Sequence, residues 1–200
     1  MLAVGGSFGQ HARVGDRDVD DLRGEMLARR KALAPDVVDR HSAAVAQRVR
    51  WLPEVCAPGV IGAYLGVRGE VDPSSLLDDP DLQVALPVTT TGEPLRFVVP
   101  SGPLVEGPFG ILQPGEGREV DPMSLVAVLV PVVAADRRGN RVGHGAGFYD
   151  RTFAARGDDR SAAPRLIGVC HDFQVVPALA ARPWDVPLDA VVTEVGLIRP

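Results

Sequence analysis

The sequence predicts an α/β fold: a single three-layer domain with a largely parallel central sheet flanked by helices. Three observations predict it. Apolar runs of strand length at Gly59–Leu65, Leu82–Val88, Leu95–Val99, Leu125–Val133, Leu166–His171 and Ala190–Thr193 are separated by helical pieces, the pattern of strands covered on both faces. A length of 200 residues with 46% hydrophobic content suits one domain with a sizeable core. The strongest strand is followed by a glycine-rich turn and a helix start, the arrangement in which open α/β sheets place a ligand at a strand's carboxyl end.

The elements follow in order. Met1–Asp18 is glycine-rich and lacks an apolar core, so residues 1–18 are expected to form a disordered tail ahead of a domain at 19–200. Val19–Leu33 has helical character, with Leu22, Met26, Leu27 and Leu33 available for packing. Pro35 suits a first helical turn, after which Val38, Ser42, Val45 and Val49 recur at helical spacing. Val71–Leu77 reads as a short helix, and Pro131 must lie near the carboxyl end of its strand because a central strand does not tolerate proline. Gly147–Arg156 is expected to be a helix. The Gly/Pro-rich segment between Pro100 and Pro122 reads as an active-site loop with a short extended piece at 109–113.

Bulk composition excludes several classes. Lys plus Arg number 21 and Asp plus Glu 26, a formal charge of −5; generic nucleic-acid or anionic-membrane binding wants a basic surface instead. The apolar run Leu125–Ala135 has 11 residues, against the ~20 of a membrane helix. Cys56 and Cys170 make no disulfide framework and read as reduced thiols of a cytoplasmic protein.

The chemistry is concentrated in Asp136–Arg151, DRRGNRVGHGAGFYDR. Gly143, Gly145 and Gly147 leave the backbone free of Cβ atoms, so its N–H groups can turn towards an anion. Arg141 can grip phosphate oxygens through two donors, and Asp150 can hold magnesium against them. The alternatives are a tight turn whose glycines only supply positive φ, a solvated arginine, and an acid stabilised by a helix start. Cys170-His171-Asp172 lacks a second ligand pair at a metal-site spacing, so a core cysteine with strand-end polar residues is the preferred reading.

The same stretch resembles the glycine-rich motif of 5-formyltetrahydrofolate cyclo-ligases, close to G-x-R-L-G-x-G-x-G-[FY]-Y-D-R, with Val142 replacing leucine. DLRGEMLARRKAL at 21–33, YLGVRGEVDP at 64–73, FGILQP at 109–114, RLIGVCHDFQ at 165–174 and WDVPLDAVVTE at 184–194 fall in the family's order, so the resemblance covers roughly residues 19–198. It implies ATP-driven conversion of 5-formyltetrahydrofolate to 5,10-methenyltetrahydrofolate with Mg2+, without a protein nucleophile or base, in a monomer or weak dimer. It assigns ATP to Arg23, Arg141, Val142, Gly143, His144, Gly145, Ala146, Gly147, Phe148 and Tyr149. The folate falls to Leu65, Glu70, His144, Phe148 and Tyr149, with Glu70 accepting from the pterin, and the metal to Asp150 and Asp189. Three positions depart from the family: Val19 stands where a lysine usually touches the phosphates, Gln113 where glutamate is common, and Ala146 where lysine or glycine occurs. A non-catalytic folate- or nucleotide-binding relative and a sugar-phosphate isomerase-like enzyme are the alternatives.

Overall fold

The computed structural model describes residues 16–157 and 164–200. Helix α1 spans Asp16–Lys31, α2 Pro35–Arg50 and α3 Pro53–Cys56. Strands β1 (Val60–Gly62), β2 (Gln83–Val88), β3 (Arg96–Pro100), β4 (Leu104–Glu106), β5 (Leu112–Pro114) and β6 (Gly117–Val120) follow. Next come β7 (Ala127–Pro131), β8 (Ala134–Asp136), β9 (Arg141–Val142), α4 (Phe148–Thr152), β10 (Arg165–Val169), β11 (Val175–Val176), β12 (Ala190–Val192) and β13 (Leu197–Ile198). Most of the tail expected at 1–18 lies outside the described residues, and α1 begins at Asp16, three residues earlier than expected.

The central sheet runs β13-β12-β10-β7-β1-β2-β3-β6. β12, β10, β7, β1 and β2 are parallel, while β13, β3 and β6 join antiparallel at the two edges. Strand residues alternate between two cores. Ile61, Leu86, Leu129, Ile167 and Val192 pack under Val45 and Val49 of α2. Val128, Val130, Leu166 and Val191 pack with Phe97, Phe153 and Leu188 on the other face. The second covering layer is thinner than a row of long helices. It consists of α4, the single turn Ala154–Arg156 and irregular chain, because the helix expected over Gly147–Arg156 breaks at Phe153. Among the described residues, no helix is long and apolar enough to cross a membrane.

Pro131 does close β7, opposite Val169 of β10. The apolar run then continues into β8, which pairs with β11 and β9 in a separate three-stranded sheet. The turn between β8 and β9 is built on fully buried Asp136, whose carboxylate accepts from the Arg138, Asn140 and Leu179 N–H groups, each at 2.9 Å. The first half of the DRRGNRVGHGAGFYDR stretch is therefore a structural turn. Only its second half faces the ligand side of the sheet. α1 packs on this small sheet through Met26, against Val133, Ala134 and Val142.

Candidate active site

A cleft of about 960 Å3 opens beyond the carboxyl ends of β1, β2 and β7, lined by Tyr64, Leu65, Leu86, Pro87, Val130 and Pro131 at its base. One wall is the glycine loop, residues 143–147, which leaves β9 and enters α4. Gly145 and Gly147 take φ of +99° and +65°, a region that L side chains avoid. A Cβ added at Gly143 or Gly145 would meet nothing within 4 Å, so internal packing does not demand a bare backbone there. Among the described residues, the N–H groups of His144, Gly145, Ala146 and Gly147 donate to no other part of the protein. With α4 only five residues long, its dipole is small. The loop's own N–H groups and the nearby arginines are the anion-attracting elements.

Arg141 donates to Asp150 Oδ1 at 2.5 Å and to the Val186 carbonyl, and Asp150 Oδ1 also accepts the Val186 N–H at 3.1 Å. This triangle ties the loop to the segment 182–186 that forms the opposite wall. Arg141 and Asp150 both line the cleft, and a five-donor guanidinium keeps capacity for a further anion. Arg23 reaches from α1 to the loop, donating from Nε to the Gly143 carbonyl at 3.0 Å. It also pairs with Asp20. Val19 lines the cleft beside it.

Glu70 is 8% exposed and has three neighbours. Its Oε1 lies 3.3 Å from Arg30 and 3.0 Å from His144 Nε2, and Oε2 accepts the Val67 N–H at 3.2 Å. Arg30 sits seven residues after Arg23, two turns along the same helix face, and only 2% of it is exposed. A buried carboxylate with both oxygens engaged this way is held in a fixed position. His144 is the half-exposed member of the trio, the one able to swing away and free an Oε1 lone pair.

Leu65, Phe148 and Tyr149 also line the cleft. Tyr149 faces Phe153 at 6.4 Å in a near-parallel stack, and Arg151 lies over the Phe148 ring at 5.2 Å. Burial pushes the Tyr64 and Tyr149 phenols and the Cys170 thiol well above their ordinary ranges. All three stay protonated at neutral pH, so none serves as a base or nucleophile.

Asp189 does not join these residues. Both its oxygens are held by buried Arg156, at 2.5 and 2.6 Å, and Oδ2 accepts the Leu166 N–H at 2.7 Å. Its place as a metal ligand is corrected to that of a buried ion-pair partner, at the amino-terminal ends of β10 and β12 rather than in the cleft. The segment 100–122 is likewise more ordered than a loop: β4 and β5 form a hairpin, and Gln113 Oε1 accepts the Thr89 N–H at 3.1 Å just past β2.

Composition alone did not single out the aromatic rim. Phe109 and Trp184, 58% and 65% exposed, lie at the cleft with Leu112. Phe109 and Arg68 both take positive φ, +65° and +53°, a strain of order 1–3 kcal/mol each that collects at ligand clamps. Arg30 had a legible clue in its helical spacing from Arg23; Trp184 and Arg68 had none.

Comparison with known proteins agrees with this geometry. The sequence profile of the 5-formyltetrahydrofolate cyclo-ligase family matches residues 16–194. The chain is 34% identical over 174 residues to the 5-formyltetrahydrofolate cyclo-ligase of Escherichia coli K12, covering 82% of this chain and 94% of that protein. It is 33% identical over 195 residues to the Mycolicibacterium smegmatis enzyme of the same name, covering 88% and 94%. The solution structure of Aquifex aeolicus 5,10-methenyltetrahydrofolate synthetase superimposes with a TM-score of 0.78 at 31% identity, over 90% of this chain and 92% of that one. A fold with its cleft at the carboxyl ends of parallel strands, an arginine-flanked glycine loop and these relatives together place the chain in the 5-formyltetrahydrofolate cyclo-ligase family.

Proposed function

We propose that the chain catalyses ATP-dependent conversion of 5-formyltetrahydrofolate to 5,10-methenyltetrahydrofolate, releasing ADP and phosphate, with residues 19–200 acting as one domain. The observation that carries the reading is the glycine loop. Its unsatisfied N–H groups and open glycine faces lie between Arg23 and Arg141 on a cleft wall. Such a wall suits nucleotide phosphates, while Glu70, which meets the loop at His144, suits the adjacent N–H donors of a pterin.

The formyl oxygen attacks the γ-phosphorus as the bond to ADP breaks, giving a phosphorylated imidate. N10 then attacks the imidate carbon, its proton passes to solvent, and phosphate leaves with the former formyl oxygen. The chain's task is to hold two ligands in line and to neutralise phosphate charge. Arg141 and the loop hold the phosphates, Arg23 fixes the loop through Gly143, and Glu70 orients the pterin once His144 releases it. The apolar rim of Phe109 and Trp184 excludes water that would hydrolyse the imidate. No protein nucleophile is needed, in keeping with the protonated tyrosines and thiol.

Magnesium fits Asp150, whose Oδ2 makes no hydrogen bond among the described residues; such ions bind through one or two carboxylates plus substrate phosphates. Bound there, it would neutralise phosphate charge. The free thiols Cys56 and Cys170 support a reducing compartment, the cytoplasm, and no second copy is required by the cleft, in keeping with a monomer or weak dimer. Purified protein should produce the methenyl chromophore only when ATP and Mg2+ are both present. Arg141→Ala should raise the ATP Michaelis constant more than that for folate, by a loss of about 1.5–3 kcal/mol. Binding of both ligands with no product at any enzyme concentration would make the chain the non-catalytic relative.

A further inference from the structure

Behind the turn that carries Glu70 lies a second polar cluster, none of whose members lines the cleft. His171 is fully buried just past β10, and its Nε2 lies 2.9 Å from the Gly69 carbonyl. A carbonyl only accepts, so Nε2 carries the proton and Nδ1 presents a lone pair. His41 of α2 places its own Nδ1 2.9 Å from that lone pair. The His41 Nδ1 must therefore carry the proton between them. Glu194 Oε1 lies 3.4 Å from the same His41 nitrogen. Two electron-pair donors thus converge on one proton, and His41 becomes a third once that proton leaves.

We propose that His41, His171 and Glu194 bind one Zn2+ ion, which replaces the shared proton. The exchange balances as a tautomer change: zinc takes the His41 Nδ1 lone pair, and the proton is carried on His41 Nε2 instead, so His41 stays a neutral imidazole. The three ligand atoms lie within 4.8 Å of one another. Bonds of about 2.0–2.2 Å to a tetrahedral zinc set its ligands roughly 3.3 Å apart, a spacing that the 2.9 and 3.4 Å separations bracket. Two imidazoles and a carboxylate favour zinc over magnesium. The outer contacts are also those of a metal site: His171 is oriented by the Gly69 carbonyl, and Glu194 Oε2 accepts the Asp172 N–H at 2.9 Å. His41 and Glu194 are partly exposed, which gives the ion an entry path and a position for one water. The ligands come from α2, the end of β10 and the segment after β12, so the ion would clip together elements distant in sequence.

The test uses the full chain in an Asp150→Asn background, to silence the cleft carboxylate, stripped with chelator and titrated with zinc chloride by calorimetry. One Zn2+ should bind per chain and raise the melting temperature, and cobalt should give the visible absorption of a tetrahedral site. His41→Ala and Glu194→Gln, both at accessible positions, should each weaken zinc binding by about tenfold or more and abolish the cobalt bands. Absence of zinc binding, or a zinc affinity in both variants unchanged from that of the parent protein, would overturn the site. Neither readout depends on cyclo-ligase activity, so failure of this site and failure of the proposed reaction remain distinguishable.

Discussion

Asp150 and Asp189 show how the surroundings of a residue decide its role. Asp150 keeps an oxygen at the cleft, whereas both Asp189 oxygens are spent on Arg156 and the Leu166 N–H. The segment WDVPLDAVVTE reveals the acid but not the arginine 33 positions away that consumes it. Breaking one partner of a buried ion pair costs about 3–5 kcal/mol. Asp189→Asn should therefore lower unfolding free energy by that order in urea titrations. An Asp189→Asn protein of full stability that has lost its magnesium dependence would return the residue to the metal site. Val19 carries the converse lesson, since its departure from the family pattern was readable and the structure puts it at the cleft beside Arg23. Val19→Lys should tighten apparent ATP affinity by about twofold to fivefold, ~0.5–1 kcal/mol, and the gain should shrink as salt rises. Unchanged affinity at low salt would mean that this face of α1 does not meet the nucleotide.

At the scale of elements, the parallel strands were legible because both faces of each are buried and their apolar runs are continuous. Pro131 marks where β7 closes, near the carboxyl end of the strand expected at Leu125–Val133, because it cannot donate to the ladder. The separate pairing of β8 with β9 and β11 was not legible. The edge strands β6 and β13 and the β4–β5 hairpin are too short, at two to four residues each, for an alternating pattern to stand out. The glycine loop was legible as a turn into a helix start, the place it takes between β9 and α4. Gly145 at φ +99° admits no β-branched residue without strain, although the added atoms would meet open space. Gly145→Val should thus fold, with the ATP Michaelis constant raised about tenfold or more, equivalent to about 1.4 kcal/mol. An unchanged constant in the folded variant would remove the loop from the nucleotide site.

For the whole molecule, the two cores divide the work. The α2 side is a continuous apolar layer, and the other side is thinner and gives way to the cleft where the strands end. Glu70, the glycine loop and segment 182–186 meet there although they are far apart in sequence. That convergence is a property of the fold that no local pattern displays. The zinc cluster was hidden for the same reason, since His41 and His171 are separated by 130 residues. The proposed reaction sets nucleotide phosphates on the glycine loop and the pterin at Glu70, with phosphate passing directly between the two ligands. The most direct measurement is the fate of the formyl oxygen. With 5-formyltetrahydrofolate labelled with oxygen-18 in its formyl group, ATP and Mg2+, the account predicts one labelled oxygen in each phosphate released and none in water. Unlabelled phosphate, with methenyl product still forming, would contradict it.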